Sequence, residues 1–141
     1  VNYLLDTNVI SEWQKPSPSP RVVDWLTEVD EDRVYLSVVT LAELRLGVDL
    51  MPEGRKKSRL DEWLRADLPL RFEERVLAID VAVANAWGMI VARLRRTGRQ
   101  IAPMDALLAA TAQIHGLVLV TRNTPDFTDA GITLLNPWDG E

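Results

Sequence analysis

The chain has 141 residues, 47% hydrophobic and 26% charged, and its 16 basic and 21 acidic side chains give a net charge of -5. That is the size and balance of one ordinary globular domain over residues 1–141; no apolar run reaches the eighteen or so residues of a membrane span, and no basic stretch leads into an apolar one as in a signal peptide. Zero cysteines exclude disulfides and thiolate metal sites and fit a cytoplasmic protein, while the single His115 excludes any mechanism that needs two histidines.

Val1 to Leu5 is a short apolar run, long enough for one buried strand. Asp6 follows at once, and Thr7 and Asn8 are N-cap candidates for a helix through Val9, Ile10 and Trp13. A carboxylate at that junction lies at the C-terminal edge of a sheet, where α/β domains form ligand sites. Taken alone, Asp6 reads equally as a cap. Lys15 to Pro20 carries three prolines in alternate positions and is a loop. Ser19 and Pro20 then read as N-cap and first residue of a helix with Val22, Val23, Trp25, Leu26 and Val29 as its apolar stripe. Val34 to Ser37 is a second strand.

Thr40 and Glu43 have the spacing of a capping box, which predicts a helix opening at Thr40 with Leu41, Leu44 and Val48 buried. Met51 to Gly54 stops it. A polar-faced helix follows from Arg55, with Leu60, Trp63 and Leu64 inward, and is expected to stop before Pro69. Val76 to Ile79 is a third strand, with Asp80 as the N-cap of a long helix over Val81 to Arg96. Ala82, Ala86, Met89, Ile90 and Leu94 are its expected core positions, and Gly98 closes it. Pro103 opens another helix with Asp105 in its first turn, where the helix dipole favours a carboxylate regardless of function. Ala106 to Ile114 is small and apolar nearly all round, so this helix is buried, and His115 and Gly116 end it. Leu117 to Val120 is the clearest strand. It runs into the polar loop Thr121 to Phe127, the same architecture as at Asp6. Ile132 to Leu135 makes a last strand before the tail Asn136 to Glu141. Strands and helices alternate throughout, which predicts an α/β domain with a mostly parallel central sheet.

In a parallel three-layer domain, strand ends and helix starts share one rim, so Asp6, Glu43, Asp105 and the Thr121–Asp126 loop are expected in one cleft. Carboxylates gathered there repel one another and raise each other's pKa values, and a divalent cation resolves the conflict. Oxygen ligands without Cys or His select a hard ion, Mg²⁺ or Mn²⁺. Such an ion supports phosphodiester cleavage without a histidine. Two basic clusters, Arg55, Lys56, Lys57 and Arg59, and Arg93, Arg95, Arg96 and Arg99, read either as solvated helix faces or as grips for phosphates.

The sequence resembles the PIN-domain ribonucleases, among them the VapC-type toxins of toxin–antitoxin pairs, and within these the FitB branch. The carriers are Leu4-Leu-Asp-Thr-Asn-Val-Ile-Ser-Glu12, Tyr35-Leu-Ser37 with Thr40-Leu-Ala-Glu-Leu-Arg-Leu-Gly47, Ile101-Ala-Pro-Met-Asp-Ala106 with Leu108-Ala-Ala-Thr111, and Val120-Thr-Arg-Asn-Thr-Pro-Asp-Phe127. Asn136-Pro-Trp138 also fits the FitB branch. The resemblance implies a PIN-like three-layer α/β/α fold and a Mg²⁺-dependent endoribonuclease, with Mn²⁺ as the other candidate ion. It places the metal-site acids on Asp6, Glu43 and Asp105, with Asn8 orienting Asp6 or a water and Thr121 accompanying the last acid. That fourth acid falls on Asp126, although some members carry an acid where this chain has Asn123. The resemblance also implies an antitoxin that blocks the acidic cleft, an RNA substrate, a homodimer or a larger toxin–antitoxin assembly, and contact with DNA only through the antitoxin. The alternative is a toxin whose acids mainly form a docking socket, with weak or absent nuclease activity. A phosphotransfer domain using Asp6 as nucleophile is disfavoured, because its second carboxylate is replaced by Asn8.

Overall fold

The computed structural model describes residues 1–139; Gly140 and Glu141 of the expected tail lie outside the described residues. Five short strands, β1 (Tyr3–Leu5), β2 (Val34–Ser37), β3 (Val76–Leu77), β4 (Val118–Val120) and β5 (Leu134–Leu135), pair in parallel in the order β3-β2-β1-β4-β5. Parallel neighbours need long crossovers, and helices supply most of them. These are α1 (Thr7–Ile10), α2 (Pro20–Glu28), α3 (Val38–Asp49), α4 (Arg55–Glu62), α5 (Leu68–Phe72), α6 (Val81–Arg96), α7 (Pro103–His115) and α8 (Thr124–Phe127).

Alternation along the strands divides the core in two. Leu4 and Leu119 join one cluster with Val83, Ile90 and Leu94 of α6 and Leu108 and Ala112 of α7. Leu5 and Val120 face the other way, into a cluster with Ile10, Leu26, Leu44, Leu64 and Phe72. The result is the expected three-layer α/β/α architecture on an all-parallel sheet. The chain builds outward from β1 on one side through β2 and β3, then crosses to lay β4 and β5 on the other. The crevice at the carboxyl ends of β1 and β4 is therefore the topological switch point of the sheet. No helix among the described residues is long and apolar enough to cross a membrane.

Several local expectations differ from the structure. The strands are shorter than their apolar runs, because pairing covers only Tyr3–Leu5 of the first and two residues each of the third and last. The helix expected from Thr40 begins two residues earlier. Ser37 is its N-cap, with the Val39 N–H donating to Ser37 Oγ at 3.0 Å. Thr40 lies inside the first turn, fully buried, and its hydroxyl donates to the Leu5 carbonyl at 3.4 Å, tying α3 to β1. Glu43 is thus mid-helix and closes no capping box. The helix expected to stop before Pro69 instead passes through a wide π-type turn over Trp63–Asp67 into α5. Pro69 sits in the first turn of α5, where its missing N–H is tolerated. Helix α6 spans Val81–Arg96 with Asp80 as its N-cap, but Ala82 and Met89 point outward and Val83 and Val91 are buried in their place. Helix α7 ends on Gly116 at φ 63, a left-handed C-cap that glycine adopts without a side-chain penalty.

Candidate active site

Four candidate acids approach the switch point from four different elements. Asp6 follows β1 directly. Its backbone N–H donates to the Val120 carbonyl at 2.9 Å, which brings the end of β4 alongside. Asp6 itself, rather than Thr7 or Asn8, is the N-cap of α1: Oδ1 accepts from the Thr7 N–H at 2.7 Å. Oδ2 accepts from the Thr121 hydroxyl at 2.8 Å and from Asn8 Nδ2 at 3.4 Å. Asp6 is 6% exposed and Thr121 fully buried. Burial pushes the Asp6 carboxyl above its ordinary range and the Asp126 charge adds to this, against the hydrogen bonds from Thr121, Thr7 and Asn8.

Thr121 and Asn8 continue the network. Thr121 Oγ1 accepts from the Asn123 N–H at 3.0 Å, and Asn8 Oδ1 accepts from the Arg122 N–H at 3.2 Å. The loop after β4 is therefore stitched to the loop after β1. Glu43 reaches the same place from the middle of α3. Its Oε1 accepts from the Thr7 hydroxyl at 2.5 Å. This role of Thr7 went unread in the sequence, where its position suggested only a cap. The available signal was that a hydroxyl directly after Asp6 must project near whatever Asp6 faces.

Asp105 lies in the first turn of α7, half-buried, and its carboxyl is pushed up to about 6. Burial is the largest cause, followed by the charges of Asp6, Asp126 and Glu43. All four acids therefore share one electrostatic field. Asp126 stands exposed in α8, on the segment anchored beneath by the buried Phe127. Its charge bears on both Asp6 and Asp105. Asn123 is the N-cap residue of α8, engaged through its backbone N–H, with no capping hydrogen bond from its side chain. The sequence expectation that these acids lie at helix starts or strand ends holds for Asp6, Asp105 and Asp126. Glu43, in mid-helix, arrives by the length of its side chain.

Depressions flank the acids. One groove of about 300 Å³ runs from Thr7 and Glu43 past Ser11, Gln14 and Lys56 to Trp63. A cleft of about 310 Å³ on the other side is lined by Asp105, Asp126, Asp129 and Arg99. Among the described residues no three carboxylate or imidazole side chains already converge as a finished metal cage. The donor set still suits a hard dication. It is oxygen-only, and burial, with mutual repulsion adding to it, raises the carboxyls of Asp6 and Asp105. Mg²⁺ characteristically takes one or two carboxylates and keeps its waters, which needs no finished cage.

Members of the basic clusters are already engaged with acidic residues. Lys57 pairs with Glu53 at 2.9 Å, while Arg93 and Arg99 both engage Asp129.

Comparison with known proteins agrees with this architecture. The gonococcal Toxin FitB of Neisseria gonorrhoeae is 44% identical over 135 residues, covering 96% of this chain and 97% of that protein. The VapC ribonuclease Y4jK of Sinorhizobium fredii is 35% identical over 136 residues, covering 96% and 97%. A solved structure of FitAB bound to an IR36 DNA fragment contains a chain that superposes with a TM-score of 0.91 at 42% identity, covering 96% of this chain and 95% of that one. The PIN domain family itself matches residues 3–131, from β1 through α8, which carries Asp126, and this chain belongs to that family.

Proposed function

We propose that the chain is a metal-dependent endoribonuclease and the toxin of a toxin–antitoxin pair. The observation that carries the reading is geometric: four acids, from the end of β1, the middle of α3, the first turn of α7 and α8, are drawn by the sheet topology to one crevice. The relatives named as a toxin and as a ribonuclease support it. Asp6 and Asp105 would hold a Mg²⁺ or Mn²⁺ ion directly, with Glu43 and Asp126 reaching it through water. Such an ion supplies activation of water at neutral pH and stabilisation of charge on a phosphoryl oxygen. Thr121 and the Thr7 N–H fix both Asp6 oxygens, so Asp6 meets its ligand without reorganising. Thr7 occupies one oxygen of Glu43, which leaves the other to accept a proton from water attacking the phosphodiester. Asn8 accepts from the Arg122 backbone N–H and so ties the loop after β4 to the loop that carries Asp6.

The cognate antitoxin would cover the crevice, presenting a guanidinium among the carboxylates in place of the cation. A second reading draws on the DNA-bound FitAB structure: the chain serves chiefly inside a regulatory complex, and the antitoxin makes the DNA contacts. The net charge of -5 suits a toxin that does not grip DNA itself. Homodimers and larger assemblies fit either reading.

Purified, antitoxin-free protein tested on RNA in Mg²⁺ and in EDTA separates the two. Cleavage should appear only with the dication. Asp6→Asn should lose it by more than about a hundredfold, a transition-state loss near 3 kcal/mol, with its circular dichroism unchanged. Equal cleavage by that variant removes Asp6 from the mechanism. No cleavage by the parent in Mg²⁺ or Mn²⁺ favours the docking role.

A further inference from the structure

One arginine shares the cleft with the candidate acids. Helix α6 ends at Arg96, and the chain then turns back so that the Arg99 N–H donates to the Leu94 carbonyl at 2.9 Å. The turn aims Arg99 into the cleft lined by Asp105, Asp126, Asp129 and Gln100. Of Arg93, Arg95, Arg96 and Arg99, only Arg99 lines it. Its guanidinium donates to Asp129 Oδ2. Arg93 engages the same residue differently, donating from Nη2 to the Asp129 backbone carbonyl at 3.1 Å. The backbone at Asp129 is therefore held whether or not the Arg99 pair is made. The side chains of Arg99 and Asp129 are 58% and 45% exposed, so the pair is weak and water can solvate Asp129 once it is released.

We propose that Arg99 binds the phosphodiester adjoining the reactive one in an RNA strand, and that Asp129 holds the guanidinium until the strand arrives. The inference rests on the ribonuclease reading above. A polyanion entering a cleft with three acids needs a cation beside them. A planar guanidinium matches phosphate oxygens in a fork that a lysine cannot reproduce. Asp129 keeps that fork oriented and answers its charge until the strand displaces it.

The test is binding of a labelled single-stranded RNA by fluorescence anisotropy in EDTA, across a range of salt, with a cleavage assay of the parent alongside. Arg99→Ala should weaken binding five- to twentyfold and flatten the slope of log K against log salt by about 0.7, one phosphate contact on a single strand. Arg99→Lys should fall between it and the parent. Asp129→Asn should tighten binding about threefold or more, and most of that gain should vanish in the Arg99→Ala background. Asp129→Asn binding as poorly as Arg99→Ala would make the pair a structural clamp and overturn the proposal. So would an oligoaspartate peptide that displaces RNA equally from the parent and from Arg99→Ala. A parent that cleaves and binds RNA while Arg99→Ala binds unchanged removes the subsite alone. A parent that neither binds nor cleaves RNA removes the ribonuclease reading with it.

Discussion

Asp105→Asn should make the metal-free protein more stable while disabling it. The Asp105 carboxyl sits at about 6 against an ordinary 3.8, raised first by burial and then by Asp6, Asp126 and Glu43. A gap of about two units corresponds to roughly 3 kcal/mol if taken whole. The side chain is only half-buried, so solvent screening brings this to about 1–2 kcal/mol. The favourable dipole at the start of α7 offsets some of it, by about 0.3–1 kcal/mol. The sign follows from the direction of the shift. A folded pKa above the unfolded one means that folding disfavours the ionised form. The penalty is absent below about pH 4, where both states are protonated, and complete above about pH 6. The near-isosteric amide removes the charge with little change in shape. Urea denaturation in EDTA at pH 8 should show a gain of about 1 kcal/mol, a rise of roughly 2–4 °C in Tm, and the gain should disappear at pH 4. Saturating Mg²⁺ should reverse the order, because a ligand at a hundred times its Kd adds about 2.7 kcal/mol to the parent and little to the variant. A variant less stable than the parent in EDTA at pH 8, or one with the same gain at pH 4, would refute the reasoning.

Two further substitutions probe the supports of the site. Thr121→Val removes the hydroxyl that donates to Asp6 and leaves the Asn123 N–H without its acceptor. It should cost about 2 kcal/mol of unfolding free energy, read by urea denaturation, and lower cleavage, and Thr121→Ser should restore most of both. Glu12→Ala removes a buried carboxylate that accepts from the Ser19 N–H at 2.8 Å and meets Lys15 Nζ at 2.5 Å. The loss should be about 2 kcal/mol, because the Ser19 N–H loses its charged acceptor while the half-exposed Lys15 is resolvated, read by urea denaturation at pH 7. Burial alone would raise the Glu12 carboxyl, but Lys15 and the Ser19 N–H hold it below its ordinary 4.5. Its stabilisation is therefore complete above pH 4.5 and lost as pH falls through the folded value. The difference between parent and variant should narrow on acidification and not on alkalinisation.

Much of the fold was legible because strand and turn chemistry agreed locally. Val34 to Ser37 is bounded as its sequence suggests, and Asp80 and Gly116 mark their helix ends through the groups that capping requires. The failures have identifiable causes. Thr40 and Glu43 satisfy the capping-box spacing by coincidence, and Ser37 takes the cap because β2 ends there and the chain must turn. On α6, Met89 is apolar but stands 73% exposed, because packing against α7 selects Val83, Ala86, Ile90 and Leu94 as the inner row. Nothing local in the sequence records where α7 will lie. The same limit applied to the site. Asp6, Asp105 and Asp126 announced themselves at junctions, but the Thr7–Glu43 bond and the Arg99–Asp129 pair span 36 and 30 residues and depend on the assembled sheet.

The two central acids are supported in opposite ways. Asp6 is nearly inaccessible yet receives Thr121, Thr7 and Asn8, so its charge is largely answered by the fold. Asp105 is more exposed, but no hydrogen bond offsets its burial, and every charge that raises its pKa is another acid of the cluster. A hard cation would therefore gain most at Asp105, where the fold leaves the repulsion standing, and least at Asp6, which is already arranged. Asp6 supplies geometry and Asp105 supplies unanswered charge. Loss of the first should impair catalysis at any metal concentration, whereas loss of the second should appear first as weakened metal affinity. Titrating Mg²⁺ against cleavage by Asp6→Glu and Asp105→Glu, which retain charge and shift position, distinguishes the two. Asp6→Glu should lower the plateau, and Asp105→Glu should chiefly move the midpoint; the reverse pattern would invert these roles.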